Sequence, residues 1–181
     1  MKSHKDIQAI FLDRDGVINE DNGYISSWTD FHLINGVIDA LSDLSTLKIH
    51  IFIITNQSGV ARGLFSEDQL LDLHDRMIEF FLGKDINITS VEYCPHHPEG
   101  IINKYKKICD CRKPKPGMIL KLRDKYNLDL QKSILVGDKE SDIQAGISSG
   151  IKRCYLIKSK YHSSDYKYLK NNLKEVVDEL I

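Results

Sequence analysis

Short apolar runs rich in β-branched residues recur along this chain, and stretches with helical spacing lie between them. The runs fall at 9–12, 49–54, 90–93, 133–136 and 153–157. Runs of this length read as buried strands. After the first, Val37, Ile38, Leu41, Leu44 and Leu47 repeat at helical intervals. Ser66 and Gln69 form a capping-box pattern that opens a helix to about Leu82, with Leu70, Leu73, Met77 and Phe80 on one face. Pro116-Gly117 precedes a helix from Met118 to about Tyr126, and the tail, about Tyr168 to Leu180, reads as a last helix. Alternating strand and helix predicts an α/β fold with a doubly wound parallel sheet covered on both faces.

In such sheets ligands bind beyond the carboxyl ends of the strands. Asp13-Arg14-Asp15-Gly16 follows directly on Ala9-Ile10-Phe11-Leu12. Two acids side by side repel, so they suit a cation or proton and nucleophile chemistry. Alone, the tetrapeptide is equally an acidic turn. Other strand ends add to it. Thr55-Asn56-Gln57-Ser58-Gly59 offers a hydroxyl, amides and turn N–H groups to phosphate oxygens, or is simply a polar turn. Gly137-Asp138-Lys139-Glu140-Ser141-Asp142 supplies Asp138 to complete a hard-cation site. An acidic helix start accounts for the same residues, and for the whole role of Asp142. Arg112-Lys113-Pro114-Lys115-Pro116 brings cations that would neutralise a phosphoryl group, or forms a solvated loop.

The stretch from Cys94 to Pro116 breaks the alternation. It is rich in Pro, His, Lys and Cys and poor in large apolar residues, and so long a loop needs a function or a staple. Its donors read C-x-H at Cys94-Pro95-His96, with His97 as an alternative imidazole, then C-x-C at Cys109-Asp110-Cys111. Three thiolates and one imidazole make a complete tetrahedral zinc set with no open position, hence a structural ion. Cys154 lies in an apolar run and reads as a small buried hydrophobe.

The 181 residues are 28% charged with a net charge of -1, so nothing draws the chain toward nucleic acid or an anionic membrane. No apolar run approaches the ~20 residues that span a bilayer. The start, Met1-Lys2-Ser3-His4-Lys5-Asp6, has no signal-peptide core, and a cytoplasmic protein is expected. A monomer with no nucleic-acid or membrane partner is expected.

Taken in order, D-x-D-G, the strand ending in Thr55, Lys113, and Gly137-Asp138 resemble the haloacid dehalogenase (HAD) superfamily of phosphatases over nearly the whole chain. Within it the sequence is most similar to the heptose bisphosphate phosphatase branch. That likeness rests on 11–16, Asp21-Asn22-Gly23-Tyr24, 55–63, 94–98, 109–114 and 136–139. The histidinol-phosphate phosphatases share the fold and zinc loop but match less well. The resemblance implies a single HAD-like Rossmannoid domain over 1–181, with a zinc loop at about 94–111 and no large cap domain. It implies Asp13 as nucleophile forming an aspartyl-phosphate, and Asp15 as general acid and base. Mg²⁺ would be held by Asp13, the Asp15 backbone carbonyl and Asp138, with Lys139 adjacent. Thr55 and Lys113 would stabilise the phosphoryl group. A sugar bisphosphate would be lined by Asp21, Asn22, Gly23, Tyr24, Asn56, Gln57, Ser58 and Arg112, with Arg62 a further anion contact. Zinc would take Cys94, His96, Cys109 and Cys111.

Overall fold

The computed structural model describes residues 7–161 and 166–181, so the reading made on residues 1–6 lies outside the described residues. Six parallel strands form one sheet in the order β3-β2-β1-β4-β5-β6. They are β1 (Ala9–Leu12), β2 (His50–Asn56), β3 (Ser90–Cys94), β4 (Ser133–Gly137), β5 (Arg153–Ile157) and the two-residue edge strand β6 (Leu169–Lys170). The helices are α1 (Val37–Thr46), α2 (Glu67–Leu82), α3 (Gly117–Tyr126), α4 (Glu140–Ser149) and α5 (Leu173–Leu180).

The period-two alternation of a strand sends its residues to two different cores. Ile10, Leu12, Ile51, Ile53, Ile134 and Val136 meet Leu41 and Leu44 of α1, Leu73, Met77 and Phe81 of α2, and Val176 and Val177 of α5. Phe11, Phe52, Ile54, Leu135 and Cys154 meet Met118, Ile119 and Leu122 of α3 and Ile143 and Ala145 of α4. Both faces of the sheet are therefore covered, as the uninterrupted apolar runs require. The capping box of α2 forms as read from Ser66 and Gln69. Cys154 is buried within the second core. None of the described helices is long and apolar enough to cross a membrane.

One helix starts later than the sequence expectation, and another, α4, carried no periodic pattern from which to read it. The last helix starts at Leu173 rather than near 168, because Asn172 caps it by accepting from Glu175 N. The residues before it pair instead with β5, where Leu156 N donates to Tyr168 O. Helix α4 lacks a clear apolar stripe in sequence, since small residues carry its packing. Gly146 lies against the sheet so closely that a Cβ would stand 2.6 Å from Cys154 Sγ and 3.1 Å from Leu135 Cδ1. Gly146→Ala is therefore expected to lower stability by about 1–3 kcal/mol through overpacking. Adding Cys154→Ala, which removes the facing sulfur, should recover part of that loss. Denaturant unfolding of the two single variants and the double variant reads this, with non-additivity as the signature.

Candidate active site

The strand order reverses between β1 and β4, with β2 and β3 on one side and β5 and β6 on the other. Ligands of open α/β sheets bind at this crevice. Asp13 and Asp138 leave the sheet there on adjacent strands, and Asp13 N still donates to Val136 O at 2.9 Å. Gly16 turns the chain with φ +91, and a Cβ on it would lie 2.4 Å from Asp138 Oδ2, so only glycine fits.

Asp13 is 5% exposed and accepts from Lys113 Nζ at 2.8 Å. The same ammonium meets Asp142 Oδ1 at 2.6 Å and donates to Ile54 O at 2.9 Å. Asp142 therefore does more than open a helix. It accepts from Lys139 N at 3.0 Å and also balances the buried lysine. Asp138 is fully buried, and neither of its carboxylate oxygens has a hydrogen-bond partner. Burial lifts the Asp138 carboxyl to about 8, with Asp13 adding to the lift and Lys139, at 3.7 Å, opposing it. Burial lifts Asp13 to about 6 against the pull of Lys113, with Asp142 and Asp15 adding to it. Carboxylate oxygens of Asp13, Asp138 and Asp142 come within 4.8 Å of one another. An unpartnered buried carboxylate beside a second raised one is the donor set that a hard cation satisfies, and the residues fit Mg²⁺.

Asp15 stands in the wall of a cleft of about 520 Å³. Its carboxylate accepts from Asn19 Nδ2 and from Gln57 Nε2, each at 2.9 Å, and from Arg14 Nη2 at 3.0 Å. Thr55 is buried at the end of β2 and accepts from Gln57 Nε2 at 2.8 Å, which leaves its own O–H to donate elsewhere. Of the residues expected to line a sugar, Asp21, Gly23, Tyr24, Asn56, Gln57, Ser58 and Arg112 do line this cleft. Asn22 does not. It is exposed, reaches Glu20 Oε2 at 3.4 Å, and faces a separate hollow beside Asp30 and His32. Asn56 also clamps the lysine's backbone, donating to Lys113 O at 3.0 Å and accepting from Lys113 N at 3.1 Å. Lys139 pairs with Asp21 at 3.0 Å and lies 4.5 Å over the Tyr161 ring. Half-burial pushes the Asp21 carboxyl up, but the Lys139 hydrogen bond and charge more than offset it, and the net direction is down.

Three contributors carried no sequence signal of their own. Arg14 is an unassigned position between two acids yet is fully buried, His74 sits among apolar residues of α2, and Tyr161 follows the last long strand. Only the meeting of distant segments reveals them.

The Cys94–Pro116 loop gathers Cys94, His96, Cys109 and Cys111. The sulfurs are 3.1–3.5 Å apart, and His96 Nδ1 lies 3.3 Å from Cys111 Sγ and 3.7 Å from Cys94 Sγ. These spacings are too long for a disulfide, at about 2.05 Å. They are near the edges of a tetrahedron with metal–sulfur bonds of about 2.3 Å. The four thiols of the chain are free. Sharing a hydrogen with Cys94 draws the Cys111 thiol down to about 5, while that bond and burial push Cys94 up. His97 is no part of the cluster. Its Nε2 lies 3.2 Å from Arg62 Nη2, and its Nδ1 accepts from Glu99 N at 3.1 Å. Arg112, which follows Cys111 directly, donates to His96 O at 3.4 Å.

The chain is similar to known proteins in sequence and in fold. A family described as HAD-hydrolase-like matches residues 110–181. D-glycero-beta-D-manno-heptose-1,7-bisphosphate 7-phosphatase of Escherichia coli K12 is 42% identical over 155 residues, 86% of this chain and 81% of that protein. D-glycero-alpha-D-manno-heptose-1,7-bisphosphate 7-phosphatase of Photorhabdus laumondii is 44% identical over 173 residues, 94% of each chain. The crystal structure of D,D-heptose 1,7-bisphosphate phosphatase from B. bronchiseptica, complexed with magnesium and phosphate, superposes with a TM-score of 0.84. It is 29% identical and covers 96% of this chain and 98% of its own. With identity above two-fifths across most of both chains, and the same fold beneath it, this chain belongs to the heptose-1,7-bisphosphate 7-phosphatase family of HAD hydrolases.

Proposed function

We propose that the chain removes the C7 phosphate of D-glycero-D-manno-heptose 1,7-bisphosphate, giving heptose 1-phosphate and inorganic phosphate. The observation that carries this reading is the convergence of Asp13, Lys113 and unpartnered Asp138 at the sheet's switch point. Asp13, held through Oδ1 by Lys113, has Oδ2 to form a bond to phosphorus, in line with the departing sugar oxygen. As the P–O bond to C7 breaks, Asp15 gives its proton to that oxygen. Asp15 then takes a proton from water, whose oxygen attacks the aspartyl-phosphate and frees phosphate and Asp13. Lys113 and the Thr55 hydroxyl stabilise the phosphoryl oxygens as charge moves. Mg²⁺ held by Asp13, Asp138 and the Asp15 backbone carbonyl would supply positive charge against the repulsion between carboxylates and phosphate. Arg112 and Asp21–Tyr24 without Asn22 would contact the sugar and its second phosphate, alongside Asn56 and Ser58.

Zinc at Cys94, His96, Cys109 and Cys111 would be structural. All four positions are filled by protein, and Arg112 and Lys113 follow Cys111 at once, so the ion would place these cations without touching substrate.

Asp13→Asn is expected to reduce turnover by on the order of 10³-fold or more while equilibrium binding of the bisphosphate persists. Appreciable residual hydrolysis would exclude Asp13 as nucleophile. Released phosphate from the heptose bisphosphate should far exceed that from histidinol phosphate under the same Mg²⁺ conditions, and the reverse preference would reassign the substrate. Zinc removal by chelation, with Mg²⁺ then restored, should lower both melting temperature and turnover. Full activity in protein shown by metal analysis to be zinc-free would defeat the structural-ion reading.

A further inference from the structure

Helix α2 buries Leu70, Leu73, His74, Met77 and Phe81 along one face. One member of that stripe is polar, and a buried polar group needs a partner. His74 is 3% exposed, and its Nε2 lies 3.1 Å from Arg14 Nη1. A guanidinium can only donate, so Nε2 must be the accepting nitrogen and the ring is the neutral Nδ1–H tautomer. Burial, and next to it the Arg14 charge, hold His74 down to about 3, which agrees with a ring that stays neutral.

Arg14 is the largest fully buried side chain among the described residues. Its far end is fixed by His74, and Nη2 donates to Ile25 O at 3.0 Å. Nε and Nη2 then face Asp15, at 3.3 Å and 3.0–3.1 Å. Neither His74 nor Arg14 lines the cleft. A guanidinium turns about its last side-chain bonds unless both ends are held, so His74, together with the Ile25 carbonyl, sets where the edge facing Asp15 points.

We propose that His74 is a positioning residue for proton transfer: through Arg14 it aims the Asp15 carboxyl at the departing oxygen of the substrate. The inference rests on the reading of Asp15 as general acid given above. Proximity effects are steep, so a small misplacement of Asp15 costs rate without costing binding. The cost falls on one class of substrate. A sugar alkoxide leaves poorly and needs the proton, whereas nitrophenolate leaves well without it. Because kcat/KM reports only steps through the first irreversible one, departure of the leaving group, later hydrolysis of the aspartyl-phosphate does not enter the comparison.

The test is kcat/KM on heptose 1,7-bisphosphate and on p-nitrophenyl phosphate, each with the Mg²⁺-loaded protein, for His74→Leu, His74→Asn and His74→Gln. Leucine removes the acceptor, and asparagine is too short to present one at the Nε2 place. Both are expected to lose about tenfold or more on the sugar ester and to stay within about twofold on the aryl ester. Glutamine sets its amide oxygen near the Nε2 place and should restore the sugar-ester rate. The ratio between esters is taken within one preparation, so a partly unfolded sample does not distort it. Equal losses on both esters, or an undiminished sugar-ester rate in His74→Leu and His74→Asn, overturn the positioning role. Wild-type turnover of the sugar ester, measured alongside, keeps that failure distinct from a failure of the proposed function.

Discussion

A lysine ammonium removed from water holds this active site together. Lys113 is 4% exposed, and a charge so buried persists only where opposite charge meets it. Asp13 meets it from the end of β1 and Asp142 from the first turn of α4, and the Ile54 carbonyl takes a further donor. Burial pushes the Lys113 pKa down, but the two carboxylates more than reverse this, and the amine stays charged. Remove Lys113 and the two buried acids are left with uncompensated charge. The group that would stabilise a phosphoryl group thus also ties β1, β2 and α4 together before any substrate arrives.

The lysine comes from a loop with almost no core of its own. Ile101 and Ile108 are exposed, and the loop instead depends on ties. The thiol and imidazole cluster draws its two ends together, the Asn56 amide grips the Lys113 backbone, and Gly117 N donates to Asp110 O where α3 begins. A Cβ on Gly117 would stand 2.3 Å from that same oxygen, so the helix can start against the cysteine turn only with glycine there. Each tie lies within a few residues of Lys113, which is how a segment without apolar packing can aim a side chain.

Features carried by local pattern were legible in the sequence. The five longer strands, the capping box of α2 and the C-x-H with C-x-C donors each write their geometry into a few adjacent residues. Features made by distant segments were not. Arg14 gave no sign of burial because His74 lies sixty positions away. Asp142 looked like a helix start because its lysine comes from another loop. Asn22 sits in the middle of a run that otherwise faces the cleft, and an irregular turn carries no period from which its direction could be read. Two-residue β6 was too short to show alternation, so its residues read as part of the helix that follows.

The hydrogen bond from Asp13 N to Val136 O has a further consequence. It belongs to the sheet ladder, so Asp13 and the strand that leads to Asp138 are fastened by the sheet itself. Most of the residues expected to touch the sugar hang instead from connecting turns at 21–24, 57–58 and 112, while Asn56 closes β2. Recognition therefore hangs mostly from turns, whereas Asp13 is anchored in the sheet and Lys113 shares its loop with Arg112. Descendants of such a chain are free to exchange one sugar for another by rewriting turns, while the phosphate chemistry passes through the change intact.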